Sequence, residues 1–251
     1  MKIFRKIALA SAVLVFWLLV WQIAATSVGN DLLFPSPVYT ARRLAELAAS
    51  KDFYLLTAYS LIRIFAGIAL AIIFSLPLAA LCSKIKLADA LFAPAVTLMK
   101  STPVVSFILI AIFLVDRQAI PTLITFMMVF PVLYENLREG IRCTSKELIE
   151  MGAVFGLTRY IRIKRIYLPA MKPFFNSALC TCTGLAVKAG IAAEVVAYIP
   201  FSIGKQLSDA KSFMEPADIF AWTAVVIILS LVIEKIMRHA FREKRRRTEN
   251  A

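Results

Sequence analysis

KELIEMGAVFGLTRYIRIKRIYLPAMKP, residues Lys146 to Pro173, interrupts a chain that is apolar on either side of it. Arg159, Arg162, Lys164, Arg165 and Lys172 follow one another there with no acid among them, so the stretch does not cross a bilayer and belongs in cytoplasmic water. Glu147 to Val154 has the length of a short helix. Gly156, six residues after Glu150, can adopt the positive φ that ends it, and Pro169 marks where the next element begins. The prediction is helix, tight turn, helix, which is the outline of a docking loop.

The apolar surroundings set the class. The chain has 251 residues, 60% of them hydrophobic, and a mean hydropathy of +0.77. That is the composition of an all-α polytopic membrane protein sitting in a lipid bilayer. A net charge of +13 would suit nucleic acid in a soluble chain. In a membrane chain, basic residues first mark cytoplasmic loops, so no nucleic-acid partner is expected. The cysteines Cys82, Cys143, Cys180 and Cys182 do not fall where a disulfide is maintained. Cys180-x-Cys182 lacks the spacing and further ligands of a metal site, and His239 is the only histidine, so no metal is expected.

Six spans are expected, at about residues 7–25, 57–82, 91–115, 119–134, 174–196 and 219–237, all within one membrane domain of residues 1–251. The first, Ile7 to Ala25, follows Lys2, Arg5 and Lys6. Ala24 and Ala25 would also suit a cleaved signal peptide, but the run exceeds the usual apolar core of about 7 to 15 residues. An amphipathic external segment around Ala41 to Ser50 precedes the second span, which carries Arg63 near its outer end. Ser101 to Pro103 break the third span. Broken spans in transporters line cavities because their freed backbone groups cannot face lipid, so Lys100 and Pro103 are pathway candidates, the alternative being an interfacial helix ahead of a short span. Of the 29 basic residues, 21 fall on the side of residues 146–173 and of both termini, against six on the other side. Both termini are therefore expected in the cytoplasm.

The order Glu150-x5-Gly156-x9-Ile166-x-Leu168-Pro169 resembles the cytoplasmic coupling loop of the permease subunits of binding-protein-dependent ABC importers. In that family a Glu-Ala-Ala triplet opens the motif; here it reads Glu150, Met151, Gly152, and only the Glu matches. Pro35-Ser36-Pro37, the Ser60-Leu61-Ile62-Arg63 opening of a span, Ser202-Ile203-Gly204 and Asp209-Ala210 resemble the nitrate, sulfonate and taurine branch. The resemblance covers about Pro35 to Met237. It implies a type I importer fold in a bacterial plasma membrane and two copies of a separate ATPase subunit that bind the ATP. It also implies a second copy of this chain and an extracytoplasmic solute-binding protein. It assigns ATPase coupling to Glu150, Gly152, Gly156, Ile166, Leu168 and Pro169. The implied solute is a small organic anion, or a heterocyclic vitamin precursor carried by the same mechanism.

The residues themselves narrow the function. No Gly-x-x-x-x-Gly-Lys-Ser/Thr run is present, so the chain does not hydrolyse ATP and needs no cofactor of its own. A membrane-embedded enzyme would need a constellation of Asp, Glu, His or Ser within the spans, and Glu194 has no His or second carboxylate in its own span. Lys188 and Glu194 lie six residues apart, about 240° round a helix, and do not face each other. Glu194 is expected to meet Arg63 as a structural or gating pair. Lys188 is then either a helix contact or a residue pointing into the translocation path, where it would favour an anion.

Overall fold

A backbone in hydrocarbon must satisfy every N–H and C=O internally, and this sequence does so with helices alone. The computed structural model describes residues 2–31 and 33–249, and no strand occurs among them. The side chains of Lys2, Arg5, Lys6, Arg242 and of Lys244 to Arg247, which enter the charge count, lie outside the described residues. In chain order the elements are α1 (Lys2–Val28), α2 (Pro37–Ala48), α3 (Lys51–Lys84), α4 (Lys86–Ser101) and α5 (Val104–Leu114). A 3₁₀ turn (Arg117–Ala119) leads to α6 (Ile120–Arg142), α7 (Lys146–Val154) and α8 (Arg159–Arg162). A π turn (Ile163–Tyr167) then opens α9 (Leu168–Ala197), followed by α10 (Ile203–Ser212) and α11 (Pro216–Glu249).

Among the described residues, five helical segments are long and apolar enough to cross a membrane: Ser11–Val28, Lys51–Lys84, Arg117–Arg142, Arg159–Ala197 and Pro216–Phe241. Where the sixth span is expected lies the pair α4 and α5, bent by 106° at the break foreseen at Ser101 to Pro103, the geometry of a broken span or of a re-entrant loop. Proline causes it. Pro103 caps α5 with φ −57° and ψ 135°, and the residue before it, Thr102, is forced out of helical geometry to ψ 132°. With 11 residues, α5 is only about 16 Å long, half the hydrocarbon thickness, so it does not span the bilayer by itself.

Several helices run past the expected spans, α9 starting at Leu168 rather than Phe174 and α11 continuing beyond Met237, and for two of them the cause is visible. α3 begins at Lys51 rather than Thr57 because the Ser50 hydroxyl accepts from the Phe53 N–H and starts the helix early. α6 continues past Tyr134 to Arg142 because its polar last turns have partners on α4. Glu135 pairs with Lys100 at 2.7 Å, and Arg138 and Arg142 both pair with Asp89.

The core is the crossing of α3, α6 and α9, and glycine makes it possible. A methyl added at Gly67 would sit 2.6 Å from the Thr122 carbonyl oxygen and from Thr125 Cβ. One at Gly190 would sit 2.6 Å from Ile64 Cγ1 and 2.9 Å from Thr125 Oγ1. Small residues let helices approach where lipid offers no hydrophobic drive for association. α9 is the hub, packing against α3, α5, α6, α10 and α11. α1 is attached at one end, where Trp21 stacks on Phe220 and donates Nε1–H to the Pro35 carbonyl at 3.1 Å.

Candidate functional site

The stretch from Lys146 to Pro173 folds as its residues predict. Ser145 caps α7 by accepting from the Leu148 N–H. At the other end Gly156 takes φ +63°, the Leu157 N–H donates to the Gly152 carbonyl at 2.9 Å, and the Gly156 N–H donates to the Ala153 carbonyl at 3.0 Å. This pair of bonds is the Schellman stop signal. A Cβ at Gly156 would meet nothing within 4 Å, so glycine is needed there for its backbone freedom rather than for space.

Gly152 and Ile166 meet. Both are buried, and a methyl on Gly152 would come within 3.0 Å of Ile166 Cδ1. This contact seats α7 on the π turn. Pro169 accounts for that turn: it has no N–H for the Arg165 carbonyl, its ring crowds that carbonyl, and the helix widens so that the Leu168 N–H reaches back to Ile163. Pro169 stands in the first turn of α9, as expected, and the π turn joins that start to α8 without a break in the helical path. Glu150, Leu168 and Pro169 are exposed, as are Met151, Val154 and Phe155, so α7 and its turn present apolar residues beside an acid, while Arg159, Lys164 and Arg165 make the following segment basic. Cys143, just before the loop, donates its Sγ–H to Glu139, and that bond raises the thiol above its ordinary value.

From Arg159 the helical path runs 39 residues to Ala197, with only the π turn interrupting its regularity. Ile166 and Glu194 are therefore separated by about 42 Å of helix. Near the loop, α9 is clamped to α6 at Gly140, where a methyl would lie 3.1 Å from Met171 Cα and from Phe174 Cδ2.

At the far end α9 stops in a polar cluster. Glu194, fully buried, accepts from Ser60 Oγ at 2.8 Å and from the Gly204 N–H at 3.2 Å, and Arg63 Nη1 lies 3.4 Å from its other oxygen. Ser60 in turn accepts from the Ile203 N–H at 3.0 Å. The Glu194 carboxylate thus lies at the N-terminus of α10, where free N–H groups and the helix dipole favour a negative charge. Gly204 is required for that approach, since a Cβ there would overlap the backbone of Glu194 and Val195.

Two arginines hold the turn between α9 and α10. Arg63 donates to Gln118 Oε1 at 2.6 Å, to the Phe201 carbonyl at 3.2 Å and to the Pro200 carbonyl at 3.3 Å. Arg117 donates to the Ala197 carbonyl at 2.8 Å. The turn is strained, with Tyr198 at φ 50° and Phe201 at φ 51°, conformations that cost a non-glycine residue about 1–3 kcal/mol. Beyond it, the Tyr198 hydroxyl and then Lys205, 2.9 Å away, hold Asp209 below the usual carboxylate range.

The expected meeting of Arg63 and Glu194 is present, and Lys188 faces elsewhere, exposed and without an ion-pair partner among the described residues. Lys100 is paired with Glu135, and the exposed Pro103 sits at the 106° bend. Gln118, Arg117 and the packing glycines were not singled out from the sequence as site residues. The glycines left a signal, because the chain has only eight and three of them, Gly67, Gly184 and Gly190, lie within apolar spans. Among the described residues no group of His, Cys, Asp or Glu could hold a metal, and all four cysteines are free.

Comparison with known proteins gives a consistent result. Residues 67–244 match the family described as "Binding-protein-dependent transport system inner membrane component". The formylaminopyrimidine transport permease protein ThiX of Halalkalibacterium halodurans is 27% identical over 177 residues, 68% of each chain. The bicarbonate transport system permease protein CmpB of Synechococcus elongatus is 24% identical, covering 88% of this chain and 83% of that one. In fold, the chain resembles the crystal structure of a bacterial ABC transporter involved in the import of the acidic polysaccharide alginate. That likeness has a TM-score of 0.61 at 18% identity and covers 97% of this chain and 99% of that one.

Proposed function

The chain belongs to the family of binding-protein-dependent transport inner membrane components, the permeases of ABC importers, and from that premise we propose how its two polar ends work together. It is a non-catalytic, multi-pass subunit of the inner membrane, and its partners are a separate ATPase and a solute-binding protein. In our reading both termini and the 146–173 loop are cytoplasmic. The loop docks on the ATPase through Glu150 and the exposed face of α7, with Gly152, Gly156, Ile166, Leu168 and Pro169 shaping it. Two copies of the chain and two ATPase subunits complete the importer.

The observation that carries this reading is the unbroken helical path from Arg159 to Ala197, which joins the loop to the Arg63–Glu194 cluster. When the ATPase dimer closes it displaces α7, the Gly152–Ile166 contact passes the displacement to α9, and a packed helix moves as a rod. Its far end then shifts the strained turn at Tyr198 to Phe201, held by Arg63 and Arg117. Such a two-position element is what alternating access needs.

The solute in this reading is a small organic anion, such as a sulfonate, taurine or a nitrate-like ion. The bicarbonate permease relative supports it. The formylaminopyrimidine permease relative supports the second reading, a heterocyclic vitamin precursor carried by the same mechanism. The test is ATP hydrolysis by the reconstituted complex in proteoliposomes, with and without this chain. Stimulation by loaded binding protein is expected only when the chain is present, and equal stimulation without it would overturn the proposal.

A further inference from the structure

Building on the permease reading, we infer that the open flank of α9 lines the solute path and that Lys188 meets the anionic group of the solute there. α9 is ringed by α3, α5, α6, α10 and α11, and its residues Ala186, Val187, Ala189, Gly190, Ile191 and Ala193 are buried among them. One arc is left uncovered, and Ser177, Thr181, Leu185 and Lys188 are exposed on it. At 100° per residue, Ser177 and Thr181 lie within about 20° of Lys188, and Leu185 within about 60°. Two hydroxyls and an ammonium thus share a single stripe of a membrane-spanning helix.

Lipid does not suit that stripe. Lys188 is about 30 Å along α9 from Leu168 and about 13 Å from Ala197, so its charge is held inside the span. An intramembrane cation faces a water-filled cavity or a counter-charge. Arg63, Lys100 and Arg138 each have an acidic partner, whereas Lys188 has none among the described residues. Glu194, the acid nearest in sequence, is buried and bound to Ser60, Gly204 and Arg63. The stripe is therefore a wetted, positively charged track, with the Thr181 and Ser177 hydroxyls about 10 Å and about 16 Å along the axis from Lys188. Its ligand class is a small oxyanion, a carboxylate, sulfonate or bicarbonate, attracted by an ammonium that is otherwise unpaired.

The probe is a cysteine at Thr181 in the assembled complex. With the flanking Cys180 and Cys182 replaced by alanine, it is treated with an anionic sulfonatoethyl or a cationic trimethylammonioethyl methanethiosulfonate, and modification of the Thr181→Cys peptide is followed by mass spectrometry. With Lys188 present the anionic reagent is expected to react preferentially, and the anionic-to-cationic rate ratio should fall several-fold in Lys188→Met. Lys188→Arg should restore the ratio, which a packing role would not require. An unchanged ratio in Lys188→Met, or no modification by either reagent, would overturn the inference. The second of those results would place the stripe against lipid or a neighbouring chain. The ratio is read without transport or hydrolysis, so its failure is distinct from failure of the permease reading.

Discussion

Replacing Arg63 by Met keeps the length and apolar stem of the side chain and removes only its charge and donors. In the native protein Glu194 is fully buried and has three donors, of which Arg63 is the only cation. Removing one member of a buried ion pair costs about 3–5 kcal/mol, because the other charge is left uncompensated. Arg63 keeps 14% of its side-chain surface in solvent, so the lower end, about 3 kcal/mol, applies. Glu194→Gln is milder. The amide oxygen still accepts from Ser60 and Gly204, and Arg63 still has Gln118 and the carbonyls of Pro200 and Phe201, so the loss is about 1.5 kcal/mol, one charge-assisted hydrogen bond. The double variant contains no unpaired charge and should cost clearly less than the sum of the two, the signature of direct coupling. The assay is heat treatment of the detergent-solubilised complex, followed by size-exclusion chromatography to measure the folded fraction. The expected order of stability is wild type, Glu194→Gln, double variant, Arg63→Met, with a substantial gap before the last. Additive costs, or Glu194→Gln as damaging as Arg63→Met, would refute the reasoning.

Two further outcomes test the loop and the topology. Glu150 is exposed with no partner among the described residues, so Glu150→Lys should shift stability by no more than about 0.5 kcal/mol while separating ATP hydrolysis from uptake. Normal uptake at normal complex yield would remove Glu150 from the docking surface. Cys143 should react with a membrane-impermeant maleimide only after cells are opened, whereas a cysteine replacing the exposed Phe213 should react in intact cells; the opposite pattern would invert the orientation. Because the bond to Glu139 raises the Cys143 thiol, less thiolate is present at neutral pH. Labelling should be slow there and accelerate in Glu139→Gln, with a rate unaffected by Glu139→Gln counting against the assignment.

Much of the protein was legible in its residues because hydrocarbon leaves a backbone few choices. Apolar runs of span length must be helices, basic clusters mark one side, and the Glu150 to Pro169 spacing predicts the turn at Gly156 wherever the loop sits. Arg63 and Glu194 could be matched by elimination, as charges within spans need partners. Periodicity was silent about the right-angle bend between α4 and α5, since a proline break indicates where a helix stops and not the direction in which the chain resumes. It was also silent about the packing of Gly67 and Gly190 against Thr125, the seating of Gly204 on Glu194, and the roles of Gln118 and Arg117. These depend on residues far apart in sequence arriving at one point, and a helical pattern records which face is apolar but not which neighbour covers it. The open flank at Lys188 is of the same kind: its sequence shows a lysine in a span, and only the arrangement of five helices around α9 leaves that lysine uncovered.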